Sequence, residues 1–170
     1  GKESAFVCTN NAQTEPLLKQ IAKYRGIFVE PDLPSPLMGY PGALGIDLSA
    51  EAGDFPAIMK KVEQAVIDAG GKGRMGTWSY SFGWSTVCAL AEYGKRITEG
   101  EAKLYRLKDL WACYDKYTPG AQWMGSEYLD MATQVKMRNF LLVYQDTYIF
   151  GKGYMDITKV QVPEKFMTIK

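Results

Sequence analysis

The sequence predicts an α/β chain: a mostly parallel sheet flanked by helices, followed by a less regular extension. Short apolar runs at 5–9, 27–30, 43–48 and 74–79 alternate with stretches of helical spacing, the pattern of β-α-β units. Thr14 and Asp54 stand ahead of those stretches and Gly26 and Gly70 behind them, residue types that cap and stop helices. Of the 170 residues, 46% are hydrophobic and 23% charged. That is the composition of a globular domain, not of a coiled coil or a disordered chain.

The first strand runs from Ala5 to Thr9. Leu17, Leu18, Ile21 and Tyr24 then share one helical face over 15–25, with Pro16 in the first turn, where a missing N–H is harmless. Residues 27–30 form the next short strand. Residues 31–42 hold four prolines and two glycines, which excludes helix and central strand and predicts an extended loop. Residues 43–48 form a strand ending at Asp47. Asp54 caps a helix over 55–69 with Ile58, Val62 and Val66 on its inner face. A strand over 74–79 leads into a helix over 83–99, stopped by Gly100. Beyond it the spacing predicts helices over 104–117 and 127–136, a strand-like run over 139–150 broken near Asp146, and a turn at 151–154. The tail, with Val160, Val162 and Ile169, is expected to lie against the body. The expected division is a ligand-binding lobe over 1–100, its last helix returning toward a further lobe, and an extension over 101–170 packed on it.

Lys and Arg number 20 and Asp and Glu 19, a net charge of +1, so nothing draws the chain to nucleic acid or to an anionic membrane. The chain contains no histidine, which excludes a Ser-His-Asp triad, a Cys-His pair and a His-ligated zinc. Cys8, Cys88 and Cys113 are too widely spaced for a metal site and read as small core side chains. No nucleophile stands beside a base, so neither catalysis nor a bound cofactor is expected. No apolar stretch reaches the ~18 residues of a membrane helix. Gly1 opens the chain in place of Met, as after removal of a leader or within a longer protein.

Parallel sheets bind ligands beyond the carboxyl ends of their strands. Asn10 and Asn11 follow the first strand, Asp47 ends the third, and Trp78 and Tyr80 end the fourth. These five are the candidate ligand-binding residues. The amides and the carboxylate would hydrogen-bond a ligand, and the alternating aromatics would stack on it. Each also has a plain structural reading: Asx turns and helix caps for the polar residues, core packing for the aromatics. Tyr40, in the Pro-rich loop, enters at the opposite sheet edge and is a contact only if that loop folds back. Gly70 to Gly73 precedes a strand, the wrong context for a phosphate loop.

The run from Ala5 through Asn10-Asn11 to Gln20, together with Leu44-Gly45-Ile46-Asp47, resembles segments of type I periplasmic binding proteins. Residues 35–47, 71–81 and 151–154 are similar to a bacterial family of unknown function with that architecture, several members of which are lipoproteins. The resemblance implies a Rossmann-like C-terminal lobe, its N-terminal counterpart missing from these residues. Asn11 stands where the family commonly has Asp, which removes a charge. What the resemblance implies is extracytoplasmic capture of a small molecule, passed to an ABC-type permease; the supply of aromatics favours one with a flat or apolar face, nucleoside-, flavin- or sugar-like. The alternatives are an effector-sensing domain of a transcription regulator, a lipoprotein with a structural role, or an enzyme using scattered carboxylates.

Overall fold

The structure is a computed structural model and describes residues 2–159; the expected packing of Val160, Val162 and Ile169 lies outside them. The elements run in the order β1 (Ala5–Phe6), α1 (Asn11–Tyr24), β2 (Ile27–Phe28), α2 (Tyr40–Leu44), α3 (Phe55–Asp68), β3 (Gly76–Thr77), α4 (Phe82–Thr98), α5 (Leu107–Tyr117), β4 (Trp123–Asp130), β5 (Val135–Gln145), β6 (Tyr148–Ile149) and β7 (Gly153–Tyr154).

The expected parallel sheet is not there. β1 and β2 form one short parallel pair, extended only by a bridge from Phe28 to Met75. β3 turns instead to an antiparallel partnership with β6, which pairs in turn with β7, and β4 and β5 form a separate antiparallel hairpin. Two local causes are visible. Residues 43–48 are not a strand: Gly39 enters αL at φ 77°, Pro41 opens α2, and Gly45 ends it in αL after five residues. The third expected strand is therefore a helical turn and loop. The fourth is claimed by the chain's C-terminal half, where Gly76 pairs with Ile149 and Thr77 with Tyr148. A Cβ on Gly76 would lie 2.6 Å from the Val29 carbonyl oxygen, so only glycine permits this approach.

The helices fall close to expectation, with shifted ends. Asn10, not Thr14, caps α1, its side chain accepting from Ala12 N at 2.9 Å, and Thr14 is buried inside the helix. Asp54 caps α3 by accepting from Ala57 N. Residues 127–136 are not helical; they form the turn end of the β4–β5 hairpin.

Two hydrophobic cores result. The first is drawn almost wholly from residues 8–75, with Leu18, Phe28, Tyr40, Val62 and Met75 at its centre, and the later residues Phe150 and Tyr148 join it. The Tyr40 ring meets Phe28 and Phe150 edge-on, and its hydroxyl donates to the Gly76 carbonyl at 2.7 Å. The second core, around Ala89, Leu110, Cys113 and Tyr114, comes entirely from α4, α5 and the hairpin. So α4 packs on α5, and Trp84, Val87 and Leu90 stay 48%, 69% and 51% exposed, Trp84 although its ring packs on Phe55 at 6.1 Å.

Glu92 pins α4 to α5. Its carboxylate takes Arg96 Nε at 2.8 Å, Lys116 Nζ at 2.9 Å and the Tyr117 hydroxyl at 3.2 Å. The hydrogen bonds from Lys116 and Arg96 lower its pKa from 4.5 to about 2. The folded carboxyl thus titrates below the unfolded one. Its stabilising share is complete above the unfolded value and is lost as pH falls toward about 2. Glu92→Gln should lower the unfolding midpoint in urea at pH 7 and flatten the loss of stability between pH 4.5 and pH 2; an unchanged acid limb would show that the cluster contributes nothing.

Candidate functional site

The two cores are joined by two stretches of chain, residues 76–81 and 144–149. Their β3–β6 pairing is short, and side chains continue it. Gln145 Oε1 accepts from Ser79 Oγ at 3.0 Å and from the Tyr80 backbone N–H at 3.2 Å. Ser79 Oγ also lies 2.8 Å from the Tyr154 hydroxyl. Gln145, Asp146 and Thr147 are three consecutive polar residues with no exposed surface. Each is engaged: Asp146 accepts from the backbone of Asp156 and Ile157, and Thr147 Oγ1 donates to Glu30 at 2.8 Å. A buried polar network of this kind fixes one arrangement of the chain, since any unpaired member costs about 1–3 kcal/mol.

Trp78 is the aromatic centre of this junction. Its ring stands 5.9 Å from Phe82, 5.7 Å from Trp123 and 5.6 Å from Tyr144, edge-on to the last two. Its indole N–H lies near enough to Glu30 to lower that carboxyl's pKa, yet falls outside hydrogen-bond geometry, which leaves Nε1 without a full partner. Burial is the larger influence on Glu30 and holds its pKa above the ordinary value of 4.5.

A cleft of about 360 Å³ opens beside this junction. Pro56, Met59, Lys60 and Glu63 of α3 form one wall, from the first core. Pro119 and Gly120 lie just past α5, whose residues belong to the second core. Ser79, Tyr80, Tyr148 and Tyr154 form the floor, from the joining stretches and β7. The Tyr80 hydroxyl donates to the Pro119 carbonyl at 3.0 Å, and its ring packs on Phe55 at 5.5 Å. The Tyr148 hydroxyl donates to Glu63 Oε1 at 3.1 Å, and Gly151 N reaches the same oxygen at 2.7 Å. Burial raises the pKa of all three tyrosines, so they act as neutral donors and flat walls.

Of the five residues expected to line one cleft, Tyr80 does so. Trp78 is its neighbour but is 5% exposed and lies in the core behind it. Asn10 is spent as the α1 cap, and Asn11 is the exposed first residue of that helix. Asp47 accepts from Ser49 N at 2.9 Å and Ser49 Oγ at 2.5 Å; those bonds lower its pKa. It lines a different, shallow hollow with Lys61, Gln64 and Asp68. Tyr40 is fully buried. Reading the sequence missed Lys60, Glu63, Tyr148 and Tyr154. Lys60 and Glu63 left a signal, opposite charges three apart on the outer face of a helix; the two tyrosines left none. Among the described residues no group of acidic, Cys or His side chains could hold a metal, and no helix is long and apolar enough to cross a membrane.

A family described as a protein of unknown function (DUF3798) matches residues 1–76, and a second family matches 87–169. An "Uncharacterized protein" of Treponema pallidum (strain Nichols) is 32% identical over 79 residues, 46% of this chain and 89% of the relative. The chain belongs to a bacterial family of unknown function. A second such protein of that organism is 33% identical over 75 residues, 44% of this chain and 32% of that protein's length. A solved structure from Clostridium difficile 630, named a "Putative transcriptional regulator", shares the fold at a TM-score of 0.71 and 17% identity. The match takes in 88% of this chain and 41% of that one. The two family matches stop and restart at 76 and 87, where the chain passes from the first core to the second.

Trp78→Ala removes the buried ring that packs on Phe82, Trp123 and Tyr144. It should cost ~3–5 kcal/mol in folding stability, as large-to-small changes in a core do, and equilibrium denaturation would read it. For Glu30 the folded carboxyl titrates above the unfolded one, so stability falls as pH rises through the folded value. Glu30→Gln should be at least as stable as the parent at pH 7 and lose that fall; a variant much less stable at pH 7 would mean that the charge is needed there.

Proposed function

We propose that this chain is a non-catalytic module that captures a small molecule in the cleft between its two cores. The observation that carries the reading is the lining of that cleft. α3 packs into one core, Pro119 and Gly120 follow directly on α5 of the other, and the floor comes from the stretches joining them and from β7. A ligand touching all three couples its binding to the way the cores sit, the usual basis of closure around a ligand. The chemistry of the lining agrees with binding. Ser79 donates to the Gln145 amide oxygen, and no base stands ready to take its proton. Three tyrosines supply flat walls with polar rims.

We read the capture as serving extracytoplasmic solute uptake through an ABC-type permease. A second reading, effector sensing in a transcription regulator, is favoured by the name of the Clostridium difficile structure. Both use the same cleft. They part at what accompanies it in the whole protein, a lipoprotein leader in one case and a DNA-binding domain in the other.

The test is mass spectrometry of small molecules released on denaturing the purified full-length protein. A retained small molecule is expected, lost from Tyr80→Leu, which keeps an apolar side chain against Phe55 but removes the aromatic wall. For a ligand added back, that variant should bind more weakly by ~1–3 kcal/mol, the range for losing an aromatic stack. Equal binding by parent and variant would place the ligand elsewhere.

A further inference from the structure

Lys60 and Glu63 lie three residues apart on α3, about 4.5 Å along the helix axis, and both face the cleft. Opposite charges at that spacing usually pair with each other, and here they do not. Lys60 makes no ion pair or hydrogen bond with a described residue, whereas its neighbour Lys61 is held by Glu51 at 2.9 Å. Glu63 is turned to the floor. Its Oε1 is occupied by Gly151 N and the Tyr148 hydroxyl, while Oε2 has only the longer 3.3 Å approach of that hydroxyl. The cleft therefore presents a free ammonium and a carboxylate oxygen with acceptor capacity to spare, side by side, against tyrosine walls.

We propose that the cleft takes a small zwitterion with an aromatic or apolar body, an aromatic α-amino acid being the simplest. This narrows the capture reading above and rests on it. The ligand carboxylate accepts from Lys60 Nζ, its ammonium donates to Glu63 Oε2, and its side chain lies among Tyr80, Tyr148 and Tyr154. A simple anion held by Lys60 would stand one helical turn from the Glu63 charge, and a simple cation held by Glu63 would face Lys60. Only a ligand carrying both signs gains at both residues, and charge-assisted bonds of this kind are the strong ones. The volume of about 360 Å³ is near the lower end for small-molecule sites, which suits an amino acid and not a dinucleotide.

The test is isothermal titration of the full chain with L-phenylalanine, phenethylamine, 3-phenylpropionate and uridine. L-phenylalanine should bind at least tenfold more tightly than either analogue lacking one charge. Lys60→Ala, an exposed change, should cost L-phenylalanine at least tenfold and leave phenethylamine binding no weaker than before. Glu63→Gln should do the same for L-phenylalanine and leave 3-phenylpropionate binding no weaker than before; thermal melting confirms that it stays folded despite its bond to Gly151. Equal affinity for all three phenyl compounds, or indifference to Lys60→Ala, overturns the zwitterion proposal. Binding of uridine alone overturns it and leaves the capture reading standing. No binding by any of the four, together with no small molecule released from the full-length protein, overturns both.

Discussion

The clasp between residues 76–81 and 144–149 is the constraint on which the molecule depends. Two cores with separate memberships need something to hold them in one arrangement, and apolar packing alone does so loosely because it has no direction. Gln145 supplies the direction. One amide oxygen serves both the Ser79 hydroxyl and the Tyr80 N–H, so the two stretches cannot slide by a residue without stranding buried donors. Trp78 adds bulk at the same point, in contact with the Phe82, Trp123 and Tyr144 rings of α4 and the hairpin. The cleft lies against this clasp, and its floor has little freedom to move except as the cores themselves move.

Local structure was legible in the sequence wherever local chemistry decides it. The helices at 55–68 and 82–98 follow from spacing, capping and glycine stops. The break at Asp146 is real, because that carboxylate turns inward to bind the backbone at Asp156 and Ile157. What failed was partnership between distant segments. A run such as 74–79 looks the same whether its neighbour is parallel or antiparallel, and here residue 149, far along the chain, decides. Residues 127–136 show the converse. Tyr128, Leu129 and Met131 fit a helical pattern, yet Tyr128 and Leu129 pair across a hairpin with Met137 and Lys136, and pairing overrides a weak local preference.

The candidate site was partly legible for the same reason. Tyr80 was found because it ends a strand, and Trp78 came with it although it serves the core. Asn10 and Asp47 are residue types that satisfy backbone as readily as ligands, and both do the former. Tyr148 and Tyr154 come from the far end of the chain and reach the cleft only through the β6–β7 turn. Fold resemblance to a much longer protein says nothing about that cleft; its chemistry comes from these side chains.

The exposed apolar side chains of α4 bear on how the protein behaves in solution. Covering Trp84, Val87 and Leu90 would each be worth up to ~1.5–3 kcal/mol, and Leu142 on β5, 52% exposed, adds to the apolar surface. Partly exposed apolar side chains of this kind favour self-association as concentration rises. The net charge of +1 provides almost no long-range repulsion to oppose it. Handling conditions that weaken apolar contact, such as cold or dilution, will therefore govern how long preparations stay monodisperse.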